Sequence, residues 1–196
     1  MGRKSLAPER RAQILDAFEE CILESGLDGA SIGAVAEAAG LERTLVHHYF
    51  GSRDSLEAAL VERLLGVYKA ERDAAVSLLP PADRAQRLLD YLFSSEFDPP
   101  RFAVLFDELF SAANRNAGTR GLLRQVYEEF EEIAAAEIAK AYPEAPARRR
   151  RRVAFAIMCL AESCSSFVGL GFPASRRRSA RESAGDLLRT LEPPAA

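Results

Sequence analysis

Between Gly40 and Leu56 the chain reads GLERTLVHHYFGSRDSL, and this stretch gathers the side chains best suited to meet a polyanion. Arg43 and Arg53 offer guanidinium groups, Thr44 a hydroxyl, His47 and His48 imidazoles and Tyr49 a phenol. All can hydrogen-bond to phosphate oxygens or base edges. From Arg43 the spacing predicts a helix of about two turns, with Leu45, Val46 and Phe50 on its packing side and Arg43, Thr44, His47 and His48 projecting elsewhere. Upstream, Ile32, Val35, Ala36 and Ala39 repeat at helical spacing and end at Gly40, which can take the positive φ that a tight inter-helix turn requires. Two short helices across a glycine turn have the dimensions of a major-groove reader, although spacing alone leaves other readings open.

The elements that must position this stretch are helical throughout. Pro8 suits a first helical turn, and Ile14, Leu15, Phe18, Cys21 and Ile22 form one stripe until Ser25-Gly26 interrupts it. Leu27 then plugs the core, Asp28-Gly29 turns the chain, and Ser31 caps the second helix. After Gly51-Ser52 a long helix opens at Arg53, carries Leu56, Leu60, Leu64, Val67, Ala75 and Leu78 and stops before Pro80-Pro81. At the rise per residue it is roughly 40 Å long, enough to leave one domain and enter the next. Further helices are expected over 82–95, 101–114, 119–142, 147–168 and 175–191, separated by Asp98-Pro99-Pro100, Asn116-Ala117-Gly118, Pro143 with Pro146, and Gly169 to Pro173. The helix over 147–168 is apolar on two sides, with Val153, Ile157, Leu160, Cys164 and Phe167 on one and Phe155, Met158 and Cys159 on another, so it is expected to be covered twice.

Composition narrows the partners. At 196 residues and 48% hydrophobic the chain can bury a substantial core, and its net charge of −3 does not announce nucleic acid. Residues 1–60 carry six basic side chains against ten acidic ones, so any DNA binding must come from local placement of cations. Cys21, Cys159 and Cys164 all sit in apolar helical patterns and are expected to be buried, reduced thiols. His47 and His48 point about 100° apart on a helix and make a poor metal pair, so neither metal nor cofactor is expected. Asp107, Glu108, Glu162 and Ser163 lack a histidine or metal partner, which argues against an enzyme. The arginine run Arg148 to Arg152 reads as a solvated face balancing nearby glutamates. The N-terminal MGRKSLAPERR has no leader-like apolar segment, and Glu162 breaks the one apolar run of note, so a cytoplasmic protein without a membrane span is expected.

The stretch ASIGAVAEAAGLERTLVHHYFGSRDSL resembles the DNA-binding domain of the TetR family of repressors without gaps. Ser31 stands for the family's hydroxyl residue, Val35 to Leu41 for its hydrophobic-Ala-Glu-x-Ala-Gly-Val run, and Thr44 to Tyr49 for its variable recognition helix. Phe50 stands for the aromatic end of that helix and Arg53-Asp54-Ser55-Leu56 for Lys-Glu-x-Leu. The resemblance is close over the first sixty residues and rests on helix pattern alone beyond them. It implies an all-α fold of about nine helices, divided into a flexible basic arm (1–7), a three-helix helix-turn-helix domain (8–52), a connecting helix (53–79) and a ligand-binding and dimerisation domain (82–192).

By the same resemblance the partners are a palindromic double-stranded DNA operator, a second copy of the chain, and a small effector whose binding releases the DNA. Arg43, Thr44 and His48 are expected near base edges, with Ser31, His47, Tyr49 and Arg53 mainly on phosphates. The family most often carries Tyr where His47 stands, and an imidazole can replace that hydroxyl as a donor. Pairing of the last two helices with their symmetry mates would use Leu160, Cys164, Phe167, Leu187, Leu188 and Leu191. Aromatic richness places a mostly apolar small molecule among Tyr68, Phe93, Phe106, Phe110, Tyr127, Phe130, Met158 and Glu162, with Gly66 as a bend in the connecting helix. The acidic balance of residues 1–60 keeps one alternative open, a helical module that binds a partner protein and no DNA.

Overall fold

The structure, a computed structural model, describes residues 6–80, 83–97 and 100–193. Of the arm expected at 1–7, all but Leu6 and Ala7 lies outside them. The described residues form α-helices and no strand: α1 (Ala7–Gly29), α2 (Ile32–Ala38), α3 (Arg43–Phe50), α4 (Arg53–Ser77), α5 (Arg84–Leu92), α6 (Pro100–Ala113), α7 (Ala117–Ala141), α8 (Ala147–Gly169) and α9 (Arg176–Arg189). They group into two compact units, Met1–Val67 with Val104–Leu123, and Tyr68–Ala103 with Arg124–Ala196. The division therefore falls inside α4, α6 and α7.

In the first unit, α1 buries the stripe read from the sequence, Ile14, Leu15, Phe18, Cys21 and Ile22, and continues past Ser25 across a kink at Gly26. Gly26 takes φ 70° and ψ 169°, a conformation essentially reserved for glycine. The kink frees the amide of Leu27, which donates to Glu108 Oε2 at 2.8 Å. That bond, the 3.1 Å bond from Thr119 Oγ1 to the buried Glu57 Oε1, and the pairing of Arg115 with Asp28 are what bring residues 104–123 into this unit. Sequence periodicity holds no trace of such polar ties between distant positions. The opposite end of the unit is held by Arg63, which reaches Asp16 and the buried Glu19 at 2.5 and 2.9 Å.

The second unit has one continuous core, in which Leu88, Leu89, Leu92, Phe93 and Phe97 meet Phe130, Ala134 and Ile138, then Val153, Ala154, Ile157, Met158, Ala161 and Cys164 of α8, and Ala184, Leu188 and Leu191. Asp83 ahead of α5 adopts a left-handed φ of 56°, a conformation aspartate tolerates better than most residues. Arg84 then closes the end of α4, donating to Leu79 O at 2.6 Å and Val76 O at 3.1 Å while its Nε meets the buried Glu137 at 2.7 Å. Lys140 adds a second donor to Glu137 at 2.6 Å. Burial alone would raise the Glu137 carboxyl, but these hydrogen bonds outweigh it and hold the group below the usual carboxylate range. Arg150 Nη1 plays the matching part between α7 and α8, where it bonds Ala145 O and Pro143 O at 2.5 and 2.9 Å. One member of the arginine run is thus a loop clamp. The helix α4 continues through Gly66 without leaving helical geometry.

Two glycine substitutions separate required backbone freedom from tolerated freedom. Gly26→Ala places a Cβ at a positive φ and 3.3 Å from Glu108 Oε1, so it is expected to destabilise the protein by about 1–3 kcal/mol. Gly66→Ala meets nothing within 4 Å in mid-helix and is expected to stabilise it by about 0.5–1 kcal/mol. Urea unfolding of the two variants reads both signs, and equal effects would refute the assignment of Gly26 as the strained position.

Candidate nucleic-acid interface

The helix pair α2 and α3 is assembled from local caps. Ser31 Oγ accepts the Ala34 amide at 3.2 Å, and Gly40 takes φ 63° so that Leu41 N–H can reach back to Ala36 O at 2.9 Å. Gln13 Nε2 donates to Ala39 O at 2.7 Å, closing the end of α2 from α1. Within α3, Val46 and Phe50 are buried while Arg43, Thr44, His47 and His48 are exposed and Leu45 and Tyr49 are partly so. The amphipathic division read from spacing is present, and Arg11 fixes it. The Arg11 guanidinium lies 4.2 Å from the centre of the Phe50 ring and donates to Tyr49 O at 2.5 Å. Sequence reasoning missed Arg11, since nothing local to a residue 38 positions away marks it.

Ser31 and Arg43 are brought together. A Cβ built on Gly33 would stand 3.7 Å from Ser31 Oγ and 3.8 Å from Arg43 Nε, so guanidinium, hydroxyl and the first amides of α2 face the same small patch. That arrangement suits a phosphate better than a base edge. Thr44 and His48 stay exposed with no such neighbour, His48 lying edge-on to Tyr49 with ring centres 5.1 Å apart. Arg53 departs from expectation. Instead of extending outward it folds back, its Nη2 on Leu27 O at 2.5 Å and its Cζ 5.3 Å from the centre of the Phe18 ring, with Nε buried and without a partner. A planar guanidinium gains more from a carbonyl and a ring face in this unit than from open solvent. Arg53 is thus a strut between α4 and α1.

His47 is also specified by its contact. Its Nδ1 lies 2.9 Å from Gly51 O, and because a carbonyl only accepts, Nδ1 carries the hydrogen. In the neutral ring the remaining nitrogen, Nε2, is then an acceptor, and it becomes a donor only in the imidazolium.

In the second unit Phe93, Phe130 and Met158 are buried, and Tyr68, Tyr127 and Glu162 are partly so. Phe106 and Phe110, expected beside them, belong to the first unit, where Phe110 is 46% exposed. The aromatic group that does assemble is Tyr68, Tyr91, Phe97 and Phe130, with Phe97 and Phe130 stacked at 5.9 Å and Tyr91 edge-on to Phe97 at 5.7 Å. Tyr91 was not singled out in the sequence.

The expected pairing surface also needs correction. Leu188 is 0% exposed, and Leu191 and Cys164 are likewise core residues of the unit, so they cannot meet a second copy. The exposed apolar positions of α8 are instead Phe155, Cys159 and Phe167, followed by Leu170 and Phe172, with Leu160 and Leu187 half-covered. Cys159 is therefore an exposed thiol, whereas Cys21 is buried and pushed upward in pKa by that burial with Glu24 nearby. By length and composition α8 could cross a membrane, but Val153, Ala154, Ile157, Met158 and Ala161 pack into the core. Among the described residues no cluster of His, Cys, Asp and Glu could hold a metal ion.

Residues 14–60 match the family model "Bacterial regulatory proteins, tetR family". The HTH-type transcriptional regulator BetI of Rhizobium meliloti is 29% identical over 124 residues, which cover 63% of this chain and 61% of that relative's length. Among solved structures, a TetR transcription regulator from Haloarcula marismortui superposes with a TM-score of 0.77 at 21% identity, covering 93% of this chain and 98% of that one. The multidrug binding protein EbrR, complexed with imidazole, does so with a TM-score of 0.69 at 21% identity, over 96% and 98%. These two share the fold.

The anchored ring of His47 gives a test of the interface. If its outward nitrogen Nε2 meets the DNA, His47→Phe is expected to weaken binding roughly tenfold in fluorescence polarisation, the order of one hydrogen bond to a charged group. Unchanged affinity in His47→Phe would remove His47 from the contact.

Proposed function

The chain belongs to the tetR family of bacterial regulatory proteins, and from that premise we propose that it is a cytoplasmic repressor. In this reading it binds a near-palindromic operator as a homodimer and is released by a small, mostly apolar effector. The observation that carries the reading is α3, an eight-residue helix whose inner side is buried and whose outer side presents Arg43, Thr44, His47 and His48 to solvent. Thr44 and His48 then read base edges, while Ser31, Arg43, His47 and Tyr49 hold phosphates. Substituting Thr44 alters preference at one position of each half-site, whereas Ser31→Ala weakens all sequences alike. Gel-shift measurement on DNA upstream of the chain's own gene tests this. Binding no tighter than to unrelated DNA would favour the alternative, a helical module for a partner protein.

Effector binding is assigned to the second unit, because its aromatic group offers an apolar bed and EbrR, a protein of the same fold, is described as a multidrug binder. Release requires that the effector favour a conformation whose recognition helices no longer fit the operator. The continuous helix α4, whose first residues belong to one unit and whose last belong to the other, is the element proposed to carry that bias. A hundredfold loss of operator affinity corresponds to about 2.7 kcal/mol of coupling, and operator must weaken effector binding by the same factor.

Dimerisation is assigned to the exposed side of α8. Phe155, Cys159 and Phe167 recur at one-turn and two-turn intervals along it, and Phe167 and Phe172 touch at 5.5 Å beyond it. An uncovered apolar stripe of this length is a site for a self-complementary contact. Phe155→Asp, at a position 56% exposed, is expected to yield folded monomers that bind operator weakly. Leu188→Asp buries a carboxylate in the core and is expected to unfold the unit, by about 3–5 kcal/mol or more. Sedimentation with thermal melting separates the two outcomes, and a dimeric, fully folded Phe155→Asp would sink this face.

A further inference from the structure

One charged group in the second unit is only half satisfied. Arg72, near the end of α4, is 1% exposed. Its Nε and Nη2 both donate to Asp73 Oδ1, at 3.0 and 2.8 Å, and that carboxylate is itself 52% exposed. The guanidinium therefore has one edge toward the surface. Its other nitrogen, Nη1, is buried and has no acceptor, and Cζ stands 6.0 Å from the centre of the Phe130 ring, at the aromatic group of Tyr68, Tyr91, Phe97 and Phe130. A buried N–H pair on a cation without an acceptor is costly, and folded proteins rarely leave one so. An aromatic group of this kind would by itself suit a quaternary ammonium ligand. Here the protein's own guanidinium already stands beside the Phe130 ring, so a ligand that completes Nη1 must bring an acceptor.

We propose that Arg72 anchors the effector in the second unit, and that the effector is an apolar monocarboxylate whose oxygen accepts from Nη1 while its hydrocarbon or aromatic body lies against Phe97 and Phe130. This rests on the reading of the second unit as the effector-binding one. It narrows the ligand from mostly apolar to acidic, and it opposes cationic ligands. Nη1 gains a charge-assisted hydrogen bond, and the half-exposed Asp73 holds the opposite edge of the fork in register.

Calorimetry of the full-length protein without DNA, using 4-phenylbutyrate and decanoate, their uncharged amides, and choline, tests the assignment. The carboxylates are expected to bind at least about tenfold more tightly than their amides, with choline the weakest of the set. Arg72→Met, similar in length and free of the unpartnered charge, is expected to melt at or above the wild-type temperature and to bind acid and amide equally. In Arg72→Lys the preference is expected to fall between the two. As a measurement free of mutation, the Arg72 side-chain nitrogen resonances are expected to shift on adding 4-phenylbutyrate. Tighter binding of choline, no binding by either carboxylate, or an acid preference that survives in Arg72→Met would each overturn the proposal. A gel shift on the same samples keeps this apart from the broader reading: choline releasing the operator would leave effector control standing and remove Arg72 from it.

Discussion

A helix of eight residues has too few hydrogen bonds to hold itself together in water, so whatever α3 presents depends on the docking of Val46 and Phe50 into the first unit. Arg11 secures that docking directly, and two further arginines brace the rest of the unit by tying α4 to α1. Arg11 spans Phe50 and Tyr49 O, Arg53 spans Phe18 and Leu27 O, and Arg63 ties Asp16 and Glu19. Each places a flat or forked cation where a carbonyl, a ring or a carboxylate of another helix is waiting, which lysine could not do as well. The acidic balance of the first sixty residues then takes on a different sense. Of their described cations, Arg11 and Arg53 are fastened within the unit, while Arg43 on α3 and Arg10, bonded to the neutral Gln13, remain to face outward.

That division of labour sets how such a surface can discriminate. With few outward charges, attraction to any polyanion is weak, and in the proposed reading the fit of Thr44 and His48 to particular base edges would contribute a larger share of the total. The orientation of one ring in that surface is also fixed, because Gly51 O accepts from Nδ1 of His47. The backbone that supplies this carbonyl is set by Gly51 at φ 76°, a conformation that L side chains rarely adopt. A turn glycine thereby determines which nitrogen of a neighbouring histidine faces outward.

Much of this was legible in the sequence. The stripe of α1, the cap at Ser31, the turn at Gly40 and the exposed row on α3 follow from period, cap chemistry and the need for positive φ, all of them local properties. What escaped is of another kind. Periodicity shows that Leu188 and Phe155 each lie on an apolar face, but not that the protomer covers the first itself and leaves the second open. Nor does it show that residues 104–123 join the first unit, because Glu108, Arg115 and Thr119 meet partners about 60 to 90 positions away. Arg53 matched the family's basic residue at its place, and a matched residue type says nothing about which way a long side chain turns. Arg72 carried no signal at all, since a basic residue in an exposed-looking helix is ordinarily solvated.

Two arginines of the second unit, the partly buried Arg84 and the buried Arg72, show how structure separates roles that sequence cannot. Arg84 has every edge of its fork engaged, by Leu79 O, Val76 O and Glu137, and the carboxylate it meets is also held by Lys140. Such a network is closed, and its effect is to fasten α4 to α5 and α7 and to keep Glu137 ionised. Stability from Glu137 is therefore fully present above the ordinary carboxylate range and is lost as pH falls through its depressed folded value. Arg72 is enclosed more completely yet engaged on one side alone. Burial without satisfaction is costly, and a methionine would fill the same volume without it; Arg53 leaves one N–H in that state, Arg72 the whole terminal amino group. The open edge therefore makes sense as the complement of something that arrives.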